Sequence, residues 1–481
     1  MNRLEKLYRG LAGIPLVFLG IGVQRAWAAL LFDGSIFATS SVEAYVAGMA
    51  CTVVVNVLLA AFAPRLCPLY RRPWLIGAVA GFACLGSALI VVDTLLIGQG
   101  ALSFAGTMLA MTATGASMLV WCEFFGSLNV TRVALFYSAA LVLGELLTFF
   151  LSSMPAERLW PLMIVMPLLN IVWAWDSCVR SAREPGSRID APLFGDGKSG
   201  RVTYPVKLVV LMAVVSFAES FYLVSEDPSS VFVLLCSVAL PCLIVLAVLS
   251  GSTRFRVDRV YRVVVPLVIV AMITLMPGLG VHGGLSAGLF SAGDIGFAIV
   301  VMIVFSGISY RYGLSAVRLN GIERGVRYTA YIVGWLLGEL MLPALTDDQV
   351  FGLRVALSVI SVALFVVLFM ANSDMFARWG VQVVRPSEGA GEPEVRIDYD
   401  DQALRALACE SLAKEFGLTA REQEIALLLA QKRTNLQIEK HLVIAQGTLK
   451  AHVSHIYTKL DVHSRNEFYA VLEAAERRLA G

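Results

Sequence analysis

Read by hydrophobic pattern, the chain divides into long apolar runs followed by a shorter region of mixed polarity. A helix needs about 20 predominantly apolar residues to cross the hydrocarbon core of a bilayer. That ruler picks out segments at 11–31, 42–62, 74–97, 101–121, 133–152, 159–176, 206–224, 230–250, 261–278, 286–310, 328–345 and 352–372. Twelve transmembrane helices are therefore expected. Residues 1–372 form the membrane body, with a first half at 1–176 and a second at 206–372. MNRLEKLYRG and the apolar stretch after it read as an uncleaved first helix rather than a signal peptide.

The connections carry the orientation. Alternate ones, starting with the N-terminus, hold 21 Lys and Arg, from Arg3, Lys6 and Arg9 to Arg311, Arg318, Arg324 and Arg327. The opposite loops read FDGSIFATSS, GQG, SSMPAER, SEDPSS, GLGVHGG and LTDDQ, contributing only Arg158 and, at a span edge, Arg354. Basic loops stay on the cytoplasmic side, so both termini are expected there, in a cell (cytoplasmic) membrane whose lipid is one partner of the body. Trp27, Trp121, Trp160, Trp173, Trp175 and Trp335 are expected mostly at span ends as interfacial anchors.

Composition agrees. Of 481 residues, 58% are hydrophobic and only 15% charged, with a mean hydropathy of +0.74. Residues 373–481 hold 30 of the 74 charges, so the tail has an ordinary soluble composition. This excludes a single globular enzyme, a secreted disulfide scaffold and a disordered protein. The eight cysteines form no CxxC pair and mostly lie in apolar runs, where a thiol packs as a small hydrophobe. The net charge of +2 argues for no partner.

Ionisable residues within spans are costly in lipid and are candidates for function. They are Arg25, Asp93, Glu145, Glu219, Asp294 and Glu339. A shifted boundary would bring Asp93 or Asp294 nearer a membrane face, which makes them the weakest of the six. Arg25, Glu145, Glu219 and Glu339 are the candidate ligand-binding set, with an unknown small molecule as partner. Structural pairing between helices is the alternative. LVLGELLTFF (141–150) and WLLGELMLP (335–343) occupy matching places in the two halves, pointing to an internal duplication.

This six-plus-six layout with a long central basic loop resembles the major facilitator superfamily. That family carries a Gly/Asp/Arg-rich signature between its second and third spans. Here APRLCPLYRRP (63–73) keeps the basic residues without the glycine and aspartate, and SGSTRFRVDRVYR (250–262) is degenerate too. The departure counts against active transport.

In the tail, residues 373–400 are rich in Gly, Pro and acidic residues and read as linker. If flexible, its 28 residues reach roughly 5–6 Å × √n, or about 30 Å. Residues 401–481 then show helical period. A leading helix over 401–416 puts Leu404, Leu407, Ala408, Leu412 and Phe416 on one face. Thr419–Glu422, Thr434–Gln437 and Ser464–Glu467 each fit the capping box, a hydroxyl answered three residues later by Glu or Gln. The short connection 443–445 fits a helix-turn-helix joint. With its apolar stripe inward, the helix after that joint exposes Thr448, Lys450, Ala451, Ser454, His455 and Thr458, small and basic residues suited to a DNA major groove.

Residues 417–468 resemble the helix-turn-helix domain of LuxR/NarL-type transcription regulators. The resemblance runs through Leu418, Thr419, Arg421, Glu422, Glu424, Leu428, Leu429, Ala430, Asn435, Ile438, Leu442, Ile444, Thr448, Lys450, His452, Ile456, Lys459, Leu460, Val462, Ser464 and Arg465. It implies a four-helix DNA-binding domain in which Glu422 supports the fold and 446–460 is the recognition helix. Lys450, Ala451 and Ser454 match groove-facing positions, and Thr448 a backbone-contacting one. The last helix, 464–478, pairs with a second copy in dimers of that family. Lys432 and Ala445 depart from the family's usual glycine and serine.

The expected fold is thus all-α: a polytopic membrane helix bundle followed by a LuxR-type domain. Neither GxxxxGK[ST] nor HExxH occurs, the histidine spacing suggests no metal cluster, and no enzyme activity or cofactor is expected. No receiver domain is recognisable ahead of the tail, so any signal enters through the membrane body or a partner. The expected function is a membrane-embedded regulator that senses a ligand and binds promoter DNA. The alternative is a transporter with an appended regulatory tail.

Overall fold

Apolar runs, with polar or Gly/Pro-rich breaks between them, dictate body helices of 12 to 30 residues in the computed structural model. It describes residues 14–32, 42–183, 189, 206–223, 231–249, 263–264, 266–267, 269–270, 273, 283–312, 314–341, 345–370, 402–430, 435–442 and 446–480. The chain separates into two compact units, Met1–Ala371 and Asn372–Gly481.

In the first unit a 3-10 turn, Leu16–Leu19, leads into α1 (Gly20–Leu31). Then come α2 (Val42–Leu66), α3 (Pro73–Val92), α4 (Ala101–Gly126), α5 (Val130–Ser152) and α6 (Ala156–Arg183). The second half has α7 (Val206–Leu223), α8 (Val231–Leu249), α9 (Gly283–Tyr312), α10 (Ala316–Met341) and α11 (Asp347–Met370). The ninth expected span, 261–278, falls mostly outside the described residues. Among the described residues, seven helices are long and apolar enough to cross a membrane: α2, α3 with its continuation, α4, α5, α6, α8 and part of α9.

Helix α10 differs from its expected span. It begins at Ala316 rather than near 328, so Glu323, Arg324 and Arg327 lie within it. Glu323 and Arg324 are buried. Two arginines assigned from sequence to a cytoplasmic loop therefore belong to the interior. Two tryptophans also depart from expectation. Trp27 and Trp121 are fully buried, donating to Ser87 Oγ at 3.0 Å and Asn170 Oδ1 at 2.8 Å, whereas Trp160 and Trp175 are exposed.

Helices α4 and α9 are the most enclosed. Around them α1 packs on α5 and α6, α2 on α4 and α10, and α7 on α10. Outer faces expose Val54, Leu58, Phe82, Leu85, Val165 and Leu243, an apolar surface suited to lipid chains. Two carboxylates fix connections. Asp93, at the end of α3, accepts from the N–H groups of Gln99 and Ser103 at 3.2 and 2.8 Å, the latter in the first turn of α4. Glu123 on α4 accepts from Leu69 N–H at 2.8 Å and Tyr70 N–H at 3.1 Å, holding the turn between α2 and α3.

Helices α1 and α5 meet backbone to backbone. A Cβ added at Gly22 would lie 2.1 Å from the Ala140 carbonyl oxygen. In the second half, a Cβ at Gly334 would lie 2.5 Å from the Phe217 carbonyl oxygen, where α10 crosses α7. Aligning Gly144 with Gly338 through the repeated LGEL phrase puts Ala140 opposite Gly334, so the closest crossing recurs at one register in both halves.

The tail unit contains α12 (Gln402–Glu415), α13 (Ala420–Ala430), α14 (Asn435–Leu442), α15 (Gln446–Lys459) and α16 (Arg465–Ala480). Its own core joins Leu412, Ile425, Leu429, Ile438, Leu449, Ile456, Phe468 and Leu472. Gly417, with φ +62°, ends α12, and Leu418 N–H reaches back to the Ala413 carbonyl.

Gly22→Ala is expected to destabilise the body by about 1–3 kcal/mol, because the obstacle is backbone rather than a mobile side chain. Gly77→Ala, where a new Cβ meets nothing within 4 Å, is expected to be neutral or stabilising. Thermal melts of the two purified variants against the parent check both outcomes.

Candidate functional site

Two places in the chain gather chemistry, one in each unit. In the body, a cavity of about 150 Å³ lies among α1, α2, α4, α5, α9 and α10. Its polar wall includes Gln24, Arg25, Asn56, Tyr137, Asp294, Glu323, Arg324, Arg327 and Tyr328. First-half and second-half helices both contribute.

The charges are unevenly partnered. Arg25 Nε donates to Glu145 Oε1 at 2.7 Å, joining α1 to α5. Arg327 lies between two carboxylates, 3.9 Å from Asp294 Oδ1 and 3.9 Å from Glu323 Oε1. Arg324 Nη1 donates to the Tyr328 hydroxyl at 3.4 Å, and Arg324 makes no ion pair among the described residues. Five buried atoms of this wall have no hydrogen-bond partner among the described residues: Gln24 Oε1, Asn56 Nδ2 and Oδ1, Glu323 Oε1 and Arg324 Nε. Leaving such groups unpaired inside a protein is costly.

Of the residues singled out from sequence, Arg25 and Asp294 line this cavity, and Glu145 orients Arg25 from behind. Asp93 holds a helix start instead. Glu219 lies on α7, and its side chain is outside the described residues. Glu339 is exposed near the end of α10 and does not line the cavity. The repeated phrase preserves the glycine crossing without carrying its carboxylate inward. Sequence reasoning missed Glu323, Arg324 and Arg327, although three charges with Asn320 at the spacing of one helical face were a usable signal.

In the tail, Leu449 and Ile456 of α15 are buried, and Thr448, Lys450, Ala451, Ser454, His455 and Thr458 are all exposed. The helix is braced by Glu422, whose Oε2 accepts from Thr419 N–H at 2.8 Å, Thr419 Oγ1 at 2.9 Å and Lys459 Nζ at 2.7 Å. This locks the start of α13 to the end of α15. The Lys459 ammonium first, and then the Thr419 N–H, hold the Glu422 carboxyl down to about 2. A second capping box closes α16, where Ser464 Oγ donates to Glu467 and His463 N–H joins it at 2.9 Å. These bonds also lower the Glu467 pKa. The Tyr469 hydroxyl donates to the Leu429 carbonyl at 3.2 Å and accepts from Arg465 Nε at 2.9 Å. The third expected capping box begins at Thr434, and Thr434, Lys432 and Ala445 lie outside the described residues.

Residues 417–472 match the family described as bacterial regulatory proteins, luxR family. They form a LuxR-type helix-turn-helix domain. Over 79 residues the chain is 35% identical to the transcriptional regulatory protein LiaR of Bacillus subtilis (strain 168), covering 16% of this chain and 37% of LiaR. The chain thus spans little more than a third of the length of that curated relative.

The body is similar to a crystal structure of the Major Facilitator Superfamily transporter FucP in the outward conformation. TM-score is 0.51 and identity 12%, over 73% of this chain and 97% of that one. A bacterial homologue of the iron transporter ferroportin, outward-facing with soaked iron, aligns at TM-score 0.53 and 13% identity over the same shares. At such identities the likeness is one of fold. The body is a multi-pass helical bundle that shares the fold of these two structures, joined to a LuxR-type domain. GxSxG is spelled by residues 284–288, but these lie inside α9, not on the strand-to-helix turn that a nucleophile elbow requires.

Because Glu422 is held at about 2 against an ordinary 4.5, its contribution to stability is complete above pH 4.5 and is lost as pH falls from there toward 2. Glu422→Gln is expected to cost about 1–3 kcal/mol at pH 7 and to flatten that acid limb. Urea denaturation of residues 401–481, followed by circular dichroism between pH 7 and 2.5, measures both.

Proposed function

We propose that this protein is a membrane-embedded one-component transcription regulator, whose body senses a small molecule and whose tail binds promoter DNA. The observation that carries the reading is the exposed face of α15, held over a packed core in a LuxR-type domain and covalently continuous with an MFS-type bundle. Twelve spans with both termini cytoplasmic would keep the tail on the side where the chromosome lies.

On DNA, α15 enters the major groove. Lys450 reaches guanine or phosphate, Ala451, Ser454, His455 and Thr458 line the groove face, and Thr448 contacts the backbone. Helix α16 turns Phe468, Leu472 and Ala475 into its own core, leaving the exposed Asn466, Ala470 and Ala474 for a second copy. In the body, Arg25 and its partner Glu145 face the charges of α9 and α10 across the cavity. A ligand that binds one arrangement of the halves better than the other shifts their balance, and α11 with residues 373–400 passes the shift to the pairing of two tails.

The MFS fold favours one competing reading, a transporter whose tail reports or regulates its own flux. Solute uptake by purified protein in proteoliposomes would favour it.

Lys450→Ala is expected to weaken promoter binding by about 1–3 kcal/mol, roughly 5- to 150-fold in affinity, without altering membrane insertion. Genome-wide crosslinking of the full-length protein and this variant checks it. Discrete peaks lost in the variant support the regulator, whereas peaks equally strong in both, or none despite good expression, refute it.

A further inference from the structure

The unequal partnering of charges around the body cavity carries information about what belongs there. Counting Glu145, three guanidinium groups (Arg25, Arg324 and Arg327) share their surroundings with three carboxylates (Glu145, Asp294 and Glu323). The set is balanced in number but not in space. Arg25 is satisfied by Glu145 at 2.7 Å. Asp294 and Glu323 share the single cation Arg327, each at the long distance of 3.9 Å. Arg324 has no carboxylate within ion-pair reach among the described residues, and its Nε is buried without a hydrogen-bond partner. Among the described residues the cavity therefore holds a guanidinium without a direct ion pair, and two carboxylates whose one direct cation partner is shared at long range.

A lone anion would answer Arg324 and leave the cavity with a net negative charge in a low-dielectric interior, which is expensive. A lone cation would answer Asp294 and Glu323 and leave Arg324 as it is. A molecule bearing both charges completes both ends and keeps the sum at zero. Size adds a limit, since a cavity of about 150 Å³ matches the engineered protein cavity that admits benzene, a molecule of six heavy atoms. Asn56, buried with both amide atoms unpartnered, offers a donor and an acceptor to polar groups on the same skeleton.

We infer that the body cavity binds a small zwitterion, a carboxylate and an ammonium on one skeleton of about six to eight heavy atoms, with the carboxylate at Arg324 and the ammonium toward Asp294 and Glu323. This rests on the sensing reading above and gives its ligand a chemical class. Arg327 is then released from one of its two carboxylates, so binding redistributes the contacts between α9 and α10. That redistribution is the differential interaction a ligand needs in order to shift a conformational balance.

The test uses the full-length protein in lipid nanodiscs, with unfolding followed by tryptophan fluorescence. The probes are β-alanine and γ-aminobutyrate at millimolar concentration, with propionate, propylamine and propionamide as analogues lacking one or both charges. At least one zwitterion is expected to raise the unfolding midpoint by several degrees while none of the three analogues does. Arg324→Gln and Glu323→Gln should each abolish the shift. No shift with either zwitterion, or an equal shift with propionate or propylamine alone, overturns the inference. So does a shift that persists in a folded Arg324→Gln protein. The probe series on the parent protein decides the matter even if both variants fail to fold. Promoter crosslinking with and without the stabilising probe separates the two readings: a midpoint shift without a change in occupancy sinks sensing and leaves the ligand class standing.

Discussion

A charge withdrawn from water must find an opposite charge or a full set of hydrogen bonds, and the interior of the body is organised by that requirement. Glu123 meets it with the N–H groups of Leu69 and Tyr70, and Asp93 with those of Gln99 and Ser103, so both carboxylates become fasteners between helices. Arg25 meets it with Glu145. Glu323 and Arg324 meet it only in part, each keeping a buried atom without a hydrogen-bond partner among the described residues, and they do so where helices of the two halves face one another. Among the described residues, the two charged groups that keep an unpartnered buried atom, Glu323 and Arg324, line one cavity.

The tail obeys the same rule on a smaller scale. Glu422 is buried at the foot of α13, and the Lys459 ammonium and two donors of Thr419 compensate it fully. A capping box that would otherwise serve a single helix is thereby extended to the far end of α15. The orientation of the exposed face follows from a buried carboxylate on a different helix.

Much of this was legible in the sequence, unevenly and for physical reasons. Capping boxes are local, so Thr419–Glu422 and Ser464–Glu467 could be read directly, and the six exposed residues of α15 followed from the 3.6-residue period. Span positions followed from hydropathy because lipid imposes a length. Helix α10 escaped because hydropathy averages along the chain: three charges in five residues look like a loop whether they face water or one another. Glu145 and Glu339 show the opposite limit. The same four-residue phrase surrounds each, yet one pairs with Arg25 and the other is exposed, because the repeat preserves a glycine crossing and the partner of the carboxylate lies on another helix. Trp27 and Trp121 read as interfacial by position but are interior, their indole N–H groups claimed by Ser87 and Asn170.

The glycine crossings have a mechanical meaning. At Gly22 the backbones of α1 and α5 touch, and a Cβ at Gly321 would lie 2.8 Å from the Asn56 carbonyl oxygen, so α10 and α2 touch as well. Helices in backbone contact leave no room for a side chain between them, so each pair is closely coupled. Arg25 and Glu145 lie on one such pair, and Asn56, Glu323, Arg324 and Arg327 on the other. A methyl group inserted at either crossing would therefore displace, along with a helix, the charged groups that the cavity depends on.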